Sequence, residues 1–363
     1  MIGSILIFLL VLSVLVIVHE FGHFWVAKKN GIWVEEFGFG LPPRVWGKKI
    51  GDTIYSINLL PFGGFVKLHG ELTDDRVTDK SRAFLTKPKL IKTAVIVAGV
   101  IMNFLLAIVA FAVVYSFSGI PKETDKVRIL DTVSGSPAQM AGLIQGDVIV
   151  KVNKSEIKKP ADFISLIEEQ KGKKVNLELD NGKIVSLTPR LNPPNNEGPL
   201  GVVISNTEIH FPPIWQRPFY GVYYGFKDAI FWGKTVLTGF VTIFIDLFHG
   251  QAPKDIAGPV GIFAVTSEAA KSGILSLINL LGIISVNLAI LNIIPFPALD
   301  GGRLLFILIE GIVGRKVVPK IEATIHAVGM VILLGLILAI TIKDIKGLVA
   351  AGSISAFLDS IVK

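Results

Sequence analysis

Four long stretches without a charged residue constrain this chain more than any other feature. Met1–Val18, Thr93–Pro121, Ser272–Leu299 and Ala323–Ile342 contain no Asp, Glu, Lys or Arg. A helix that crosses the hydrocarbon core of a bilayer needs about 20 mostly apolar residues, and each run meets or nearly meets that length. Composition agrees. Hydrophobic residues make up 51% of the chain and charged residues 18%, against roughly 25% charged in ordinary soluble domains. A disordered chain and a single soluble enzyme are both disfavoured. The chain has no cysteine, which excludes disulfides, thiolate metal sites and cysteine nucleophiles. The first run lacks a basic segment before it and a small-residue cleavage site after it, so it is expected to be a retained span and not a signal peptide.

Lys and Arg near the spans predict their orientation. None precedes Val18, whereas twelve lie between Ala27 and Lys92. That loop is expected to be cytoplasmic, with the N-terminus outside. The 300–322 loop, with Arg303, Arg315, Lys316 and Lys320, returns to the cytoplasmic side. The segment from Lys122 to Lys271 holds seventeen Lys and Arg yet is placed outside, since long translocated segments largely escape the rule. Four spans put both termini outside. The net charge of +7 is then mainly a topology signal and does not call for nucleic acid.

Between the second and third runs the sequence changes to soluble character. Strands are predicted over Val127–Val133, Asp147–Asn153, Lys174–Asp180 and Lys183–Thr188, the last two joined by the hairpin signal Asp180-Asn181-Gly182. Pro160–Gln170 reads as a helix with Phe163, Leu166 and Ile167 on one face, and Pro193-Pro194-Asn195-Asn196 as a loop. Ser136-Pro137-Ala138, Ala141-Gly142-Leu143, Gly146-Asp147, Ile149 and Val152-Asn153 resemble the PDZ signature of bacterial proteases. That resemblance implies a peptide-binding groove, or a size filter built from the same module. The aromatic segment Ile214–Phe248 reads as an interfacial amphipathic helix, with a buried helix as the rival reading. The expected organisation is thus residues 1–121 as one membrane half, 122–206 as the PDZ module, 207–271 as an amphipathic linker region and 272–363 as a second membrane half. The predicted fold is a polytopic α-helical membrane protein with four transmembrane helices, a membrane-associated β-hairpin and one extracytoplasmic PDZ (α/β) domain.

The chemistry sits at the end of the first run. His19-Glu20-Phe21-Gly22-His23 is an H-E-x-x-H motif. Positions i and i+4 share a helix face, so both imidazoles can reach one zinc ion, with Glu20 beside them as general base. Ionisable groups in a membrane helix are costly and usually functional. Catalytic zinc commonly takes a third protein ligand and leaves a position open. His69, His210, His249, His326 and Asp300 are candidates. Asp300 is favoured because it ends the 272–299 run at the depth where His19 ends the first. Pro295, Pro297, Gly301 and Gly302 break the helix there and let the chain turn inward.

His19-Glu20-x-x-His23 in the first span, the PDZ-like module after the second, and Asn292-x-x-Pro295-x-Pro297-x-Leu299-Asp300-Gly301-Gly302 in the third together resemble the site-2 proteases. The nearest type is the bacterial RseP/RasP kind of zinc enzyme of regulated intramembrane proteolysis. The resemblance runs nearly end to end. It implies one zinc ion held by His19, His23 and Asp300, Glu20 as general base, and Asn292 holding the substrate backbone. Ala98-Gly99-x-x-Met102-Asn103-Phe104 is similar to a family pattern, with Val100 where that pattern has proline. Gly258-Pro259-Val260-Gly261-Ile262 resembles another pattern with no evident chemistry. Thr53–Gly70 reads as a β-hairpin around Pro61-Phe62-Gly63-Gly64. In the family it resembles a re-entrant sheet whose edge, at Gly63, Gly64 and Phe65, pairs with substrate. The expected substrates are single-span membrane proteins such as an anti-sigma factor or a remnant signal peptide, in a bacterial inner membrane. The active site is expected near the cytoplasmic side, with a peptide terminus at the PDZ module. The rival readings are a non-catalytic PDZ scaffold, a membrane-anchored protease of soluble proteins, and a zinc transporter.

Overall fold

The computed structural model describes residues 2–71, 77–194, 197–250, 257–314 and 318–362. Asn195, Asn196, Arg315 and Lys316 lie outside that set. The chain forms two compact units, one of residues 1–118 with 214–363 and one of Gly119–Pro213.

The first unit begins with α1 (Ile2–Lys29), a strand pair β1 (Val34–Ile50) and β2 (Thr53–Leu68), and α2 (Lys89–Ser118). Among the described residues, four helices are long and apolar enough to cross a membrane: α1, α2, and, further along, α7 (Ile274–Ile293) and α9 (Pro319–Ala351). In lipid the tails are as apolar as the side chains, so close packing and polar contacts hold helices together. The glycine pattern reflects this. A Cβ on Gly22 of α1 would lie 2.4 Å from the Ala98 carbonyl oxygen of α2, so the two helices touch backbone to backbone where the H-E-x-x-H turn lies. Phe111 of α2, fully buried, packs with Ala107, with Val286 of α7 and with Ala229 of a later helix, α5 (Arg217–Phe248). Ser285 Oγ of α7 donates to the Asn103 carbonyl of α2 at 2.7 Å.

Strands β1 and β2 depart from the hairpin expected over residues 53–70. The tight turn is at Gly51-Asp52, where Ile50 pairs with Thr53. Both strands bend, β1 at Gly40 (φ +79°) and β2 at Gly63 (φ +86°). Residues 64–68 then pair with 34–39 (Gly38↔Phe65, Phe39↔Gly64), and 54–57 pair with the other side of 34–39 (Phe37↔Tyr55, Phe39↔Ile57). The two arms of the expected hairpin are therefore separated by a strand that has no counterpart in the sequence reading. Alternation fixes which face a residue takes and not which strand pairs beside it, so it fits either arrangement. Among the described residues, no strand pairs with the outer edge of 64–68. Around the bend the sheet exposes Leu41, Val45, Trp46, Ile57, Leu59 and Leu60, whereas its other end carries Lys48, Lys49 and Asp52. At the base of the sheet, partial burial pushes the Glu35 carboxyl up. Hydrogen bonds from Lys67 and His69 outweigh that and hold it below its usual range.

The 214–271 region is helical. α5 sets one side against α2 and α7 and exposes Phe219, Tyr223, Phe226 and Phe231 on the other. It thus combines features of both readings of that segment. α6 (Pro259–Lys271) follows and packs on α1. Its first turn explains the Gly258-Pro259-Val260-Gly261 pattern. The buried Asp344 carboxylate of α9 accepts from the Gly258 and Gly261 amides through one oxygen, at 2.9 Å each. A Cβ on Gly258 would meet Ile340 at 2.6 Å and Asp344 at 2.8 Å. A carboxylate at a helix N-terminus satisfies orphan amides and the helix dipole together. Asp344→Leu is expected to cost about 2 kcal/mol. The measurement is thermal unfolding in detergent, with zinc content unchanged.

The 300–322 region contains more than the loop expected there. After a break at Ile294–Leu299 comes α8 (Asp300–Val313), which packs on α2, with Glu310 paired to Lys92 at 3.5 Å, both buried. The loop reading counted charges, and α8 carries enough of them to hide its apolar face. The chain ends in α10 (Ile354–Val362).

The second unit contains β3 (Ile120–Thr132), α3 (Pro137–Met140), β4 (Val148–Val152), β5 (Ser155–Glu156), α4 (Pro160–Glu169), β6 (Val175–Leu179), β7 (Ile184–Leu187) and β8 (Val202–His210). The sheet order is β7-β6-β4-β3-β8, with β5 beside β4. Gly182 takes φ +79° in the β6–β7 turn, which only a residue tolerant of positive φ supplies cheaply. Val127, Ile129, Leu143, Ile149, Leu177 and Leu179 build the core with Phe163 and Ile167 of α4. The unit extends past the segment expected at 122–206, because β8 pairs with β3 from Thr132↔Val202 out to Ile120↔His210. Residues 207–210 are therefore strand and not linker.

Candidate metal centre

Three side chains from two helices converge at one point. His19 and His23 lie one turn apart on α1, and Asp300 is the first residue of α8. The distances are 3.1 Å between the two Nε2 atoms, 3.1 Å from His19 Nε2 to Asp300 Oδ2 and 3.3 Å from His23 Nε2 to the same oxygen. Zinc bonds of roughly 2.0–2.1 Å in a tetrahedron give ligand–ligand edges of roughly 3.3–3.4 Å, so the triangle has the size a zinc ion needs. Among the described residues, no other group of three such donors comes together.

Proton placement points the same way. His23 Nδ1 lies 2.8 Å from the Val95 carbonyl oxygen. A carbonyl can only accept, so Nδ1 carries a proton, which leaves Nε2 as the nitrogen able to present a lone pair to a metal. Asp300 Oδ2 is buried, and the two imidazole Nε2 atoms are the polar groups that face it. A carboxylate oxygen and an imidazole nitrogen at 3.3 Å need a positive charge between them, which a proton or a metal ion supplies. Gly99 of α2 completes the cradle. A Cβ there would lie 2.4 Å from His23 Nε2 and 2.8 Å from His19 Nε2.

Asn103, one turn beyond Gly99, is fully buried. Its amide nitrogen stands 3.3 Å from His19 Nδ1, while its oxygen lacks a partner. A half-turn of the amide exchanges the two ends and lets the oxygen accept from Nδ1–H, which frees His19 Nε2 for metal. Asn103→Leu is therefore expected to weaken zinc binding about 10- to 100-fold, and Asn103→Asp, which also accepts, to weaken it less. Zinc titration against a competing chelator measures both.

A cavity of about 280 Å³ adjoins the triangle. Glu20, Phe65, Val66, Glu71, Leu299 and Arg303 are among its lining residues. Glu71 pairs with Arg303 and also accepts from the Leu68 amide at 3.3 Å, which ties the end of β2 to α8. A Cβ on Gly64 would lie 3.4 Å from Glu20 Cγ and 3.3 Å from Val16, so the 64–68 strand runs along α1 beside the motif. Gly63 is at the bend just before it. Asn292 is in the last turn of α7, before the break, and is not among the cavity-lining residues.

None of the other histidines is among the three donors. His69 binds Glu35 and the Asp79 amide, His249 the Ile245 carbonyl and His326 the Ala298 amide, while His210 is in β8. Gly99, Asn103, Glu71 and Arg303 have no place in the motif-based site, and His326 enters it only as a candidate ligand. For Gly99 and Asn103 a signal existed. They are four apart in an uncharged run, the same spacing as the two histidines.

Comparison with known proteins points to a zinc protease. Peptidase family M50 matches residues 7–336. A protein of Clostridium perfringens whose name places it among zinc metalloproteases is 37% identical over 345 residues, covering 93% of this chain and 97% of its own length. A similarly named protein of Clostridium acetobutylicum is 35% identical, covering 94% and 97%. The zinc metalloprotease RasP of Geobacillus kaustophilus is 29% identical, covering 94% and 98%. With its family match, its zinc-metalloprotease relatives and its four apolar helices, this chain belongs to peptidase family M50, the site-2 protease family, and is a membrane zinc metalloprotease.

Proposed function

We propose that the chain is an intramembrane endopeptidase that hydrolyses a peptide bond within or next to a transmembrane helix of a single-span substrate, in regulated intramembrane proteolysis. The observation that carries this reading is the His19–His23–Asp300 triangle at the end of an apolar helix, with the unpaired edge of strand 64–68 beside it. His19, His23 and Asp300 would hold the zinc ion. When bound, zinc supplies Lewis-acid polarisation of the scissile carbonyl and acidifies water.

The remaining work falls to the chain. Glu20 takes the proton of the attacking water and hands it to the leaving amine. A helical substrate has satisfied its own backbone, so cleavage requires unwinding it. The outer edge of residues 64–68 offers replacement hydrogen bonds to the unwound strand, and Gly64 keeps that edge close to Glu20. Phe65 packs a ring over Gly38, where a Cβ would lie 2.4 Å from it, and so stiffens the edge. Asn292 would hold the substrate backbone on the α7 side through an amide that both donates and accepts.

The Gly119–Pro213 unit is read as a PDZ domain. Its edge strand β8 has α4 for a neighbour, the pairing of elements that captures an added peptide strand. The charge pattern supports a bacterial inner membrane with both termini and this unit outside and the metal centre near the cytoplasmic side. Anti-sigma factors and remnant signal peptides fit as substrates. The test is cleavage-site mapping by mass spectrometry on a single-span model substrate in liposomes. The expected product ends lie inside or at the edge of the span. Cleavage confined to soluble unfolded chains contradicts the reading. A substitution that blocks edge pairing sharpens the test. Val66→Pro removes an amide and bends the strand, and it is expected to reduce cleavage at least about 10-fold with zinc content unchanged.

A further inference from the structure

We propose that His326 is a positioning residue for the metal centre, holding from α9 the turn that aims Asp300; this rests on Asp300 being a zinc ligand. The chain between α7 and α8 makes a turn over Phe296-Pro297-Ala298-Leu299, closed by the Leu299 amide donating to the Phe296 carbonyl at 3.2 Å. Pro297 occupies its second position. Ala298, in the third, has φ +80°. That is the type II pattern, whose third position normally takes Gly or Asn because an L side chain is strained there. The very next residue after the turn is Asp300.

An alanine held in that conformation needs outside support, and α9 supplies it. The Ala298 amide donates to His326 Nδ1 at 3.0 Å. A backbone amide can only donate, so Nδ1 is the acceptor and the neutral ring carries its proton on Nε2. Nε2 is buried and has no hydrogen-bond partner. The ring therefore engages through one end only, and that end is on the turn. Two glycines let the parts close. A Cβ on Gly302 would lie 3.2 Å from His326 Cε1, and one on Gly329, on the same helix as His326, would lie 2.3 Å from Pro297 Cβ. Pro297 and Ala298 are thus both seated on α9. His326 is not among the residues lining the metal cavity, so it acts through the turn.

The test uses the full-length protein in detergent micelles. Zinc affinity is measured by chelator competition, and the ligand field by the visible spectrum after cobalt(II) substitution. His326→Leu is expected to weaken zinc binding about 10- to 100-fold and to alter the cobalt spectrum. His326→Asn places an amide oxygen near the position of Nδ1 and is expected to restore both. Ala298→Gly added to His326→Leu is expected to recover part of the loss, since glycine takes positive φ unaided. Wild-type affinity and spectrum in His326→Leu overturn the proposal. So does His326→Asn behaving like His326→Leu without rescue by Ala298→Gly. Should His326→Leu fail to fold, recovery of folded, metal-binding protein by Ala298→Gly supports the link through the turn, and absence of recovery with either second substitution refutes it. Asp300→Ala is measured in parallel. If it keeps wild-type affinity, the ligand assignment itself is wrong, whereas loss in Asp300→Ala with none in His326→Leu sinks only the role of His326.

Discussion

Gly99→Ala is expected to empty the zinc site and abolish proteolysis. The added methyl would lie 2.4 Å from His23 Nε2, 2.7 Å from His19 Cε1 and 2.8 Å from His19 Nε2. Distances below 3.0 Å cannot be tolerated without movement, and the neighbours are poorly placed to move. His23 is tethered to the Val95 carbonyl and His19 lies against Asn103. The helices cannot slide apart cheaply, since α1 and α2 touch backbone to backbone at Gly22 and Ala98. Relief then comes from swinging an imidazole off the metal axis, which breaks the three-donor triangle. Zinc per chain by mass spectrometry and cleavage of a model substrate are both expected to fall to background, with helix content unchanged. One zinc per chain and normal cleavage in Gly99→Ala would mean that the rings do not point where the triangle requires.

Glu20→Gln separates chemistry from metal binding. Glu20 lines the cavity beside the triangle and is not one of its three donors. A glutamine keeps the shape and loses the base. Positioned proton transfer contributes about 10²- to 10⁴-fold to rate, so cleavage is expected to fall by at least about 10²-fold with zinc content at the wild-type level. Near-wild-type turnover in this variant would remove Glu20 from the mechanism.

Much of the site was legible because its signals are short in range. An i, i+4 histidine pair needs only a helix, and the uncharged run before His19 supplies one. Asp300 needed two further clues, a break-forming Pro and Gly pattern and a matching depth, and both are local. What escaped was long in range. Strand 34–39 slots between the two arms of residues 53–68, and nothing in the alternation of those arms announces a third partner. β8 closes its sheet by pairing with β3 some 80 residues away, as in Arg128↔Ser205. The apolar face of α8 was masked by Arg303 and Glu310, whose charges are neutralised by Glu71 and Lys92 from distant parts of the chain. The Gly258–Gly261 pattern made no sense until Asp344 of α9 was found beneath it. His326 reads as a candidate ligand in the sequence because histidine suggests metal. The structure gives it a backbone amide instead.

His19, His23 and Asp300 are expected together to hold one zinc ion at the membrane helix end. The most direct test is zinc-edge X-ray absorption on the purified protein, wild type beside His23→Ala and Asp300→Ala. The expected wild-type result is one zinc per chain with only nitrogen and oxygen neighbours and the outer-shell scattering of two imidazoles. The imidazole signal should be halved or the metal lost in His23→Ala, and zinc lost or weakly held in Asp300→Ala. A wild-type protein without zinc, or a zinc environment that neither substitution alters, would contradict it.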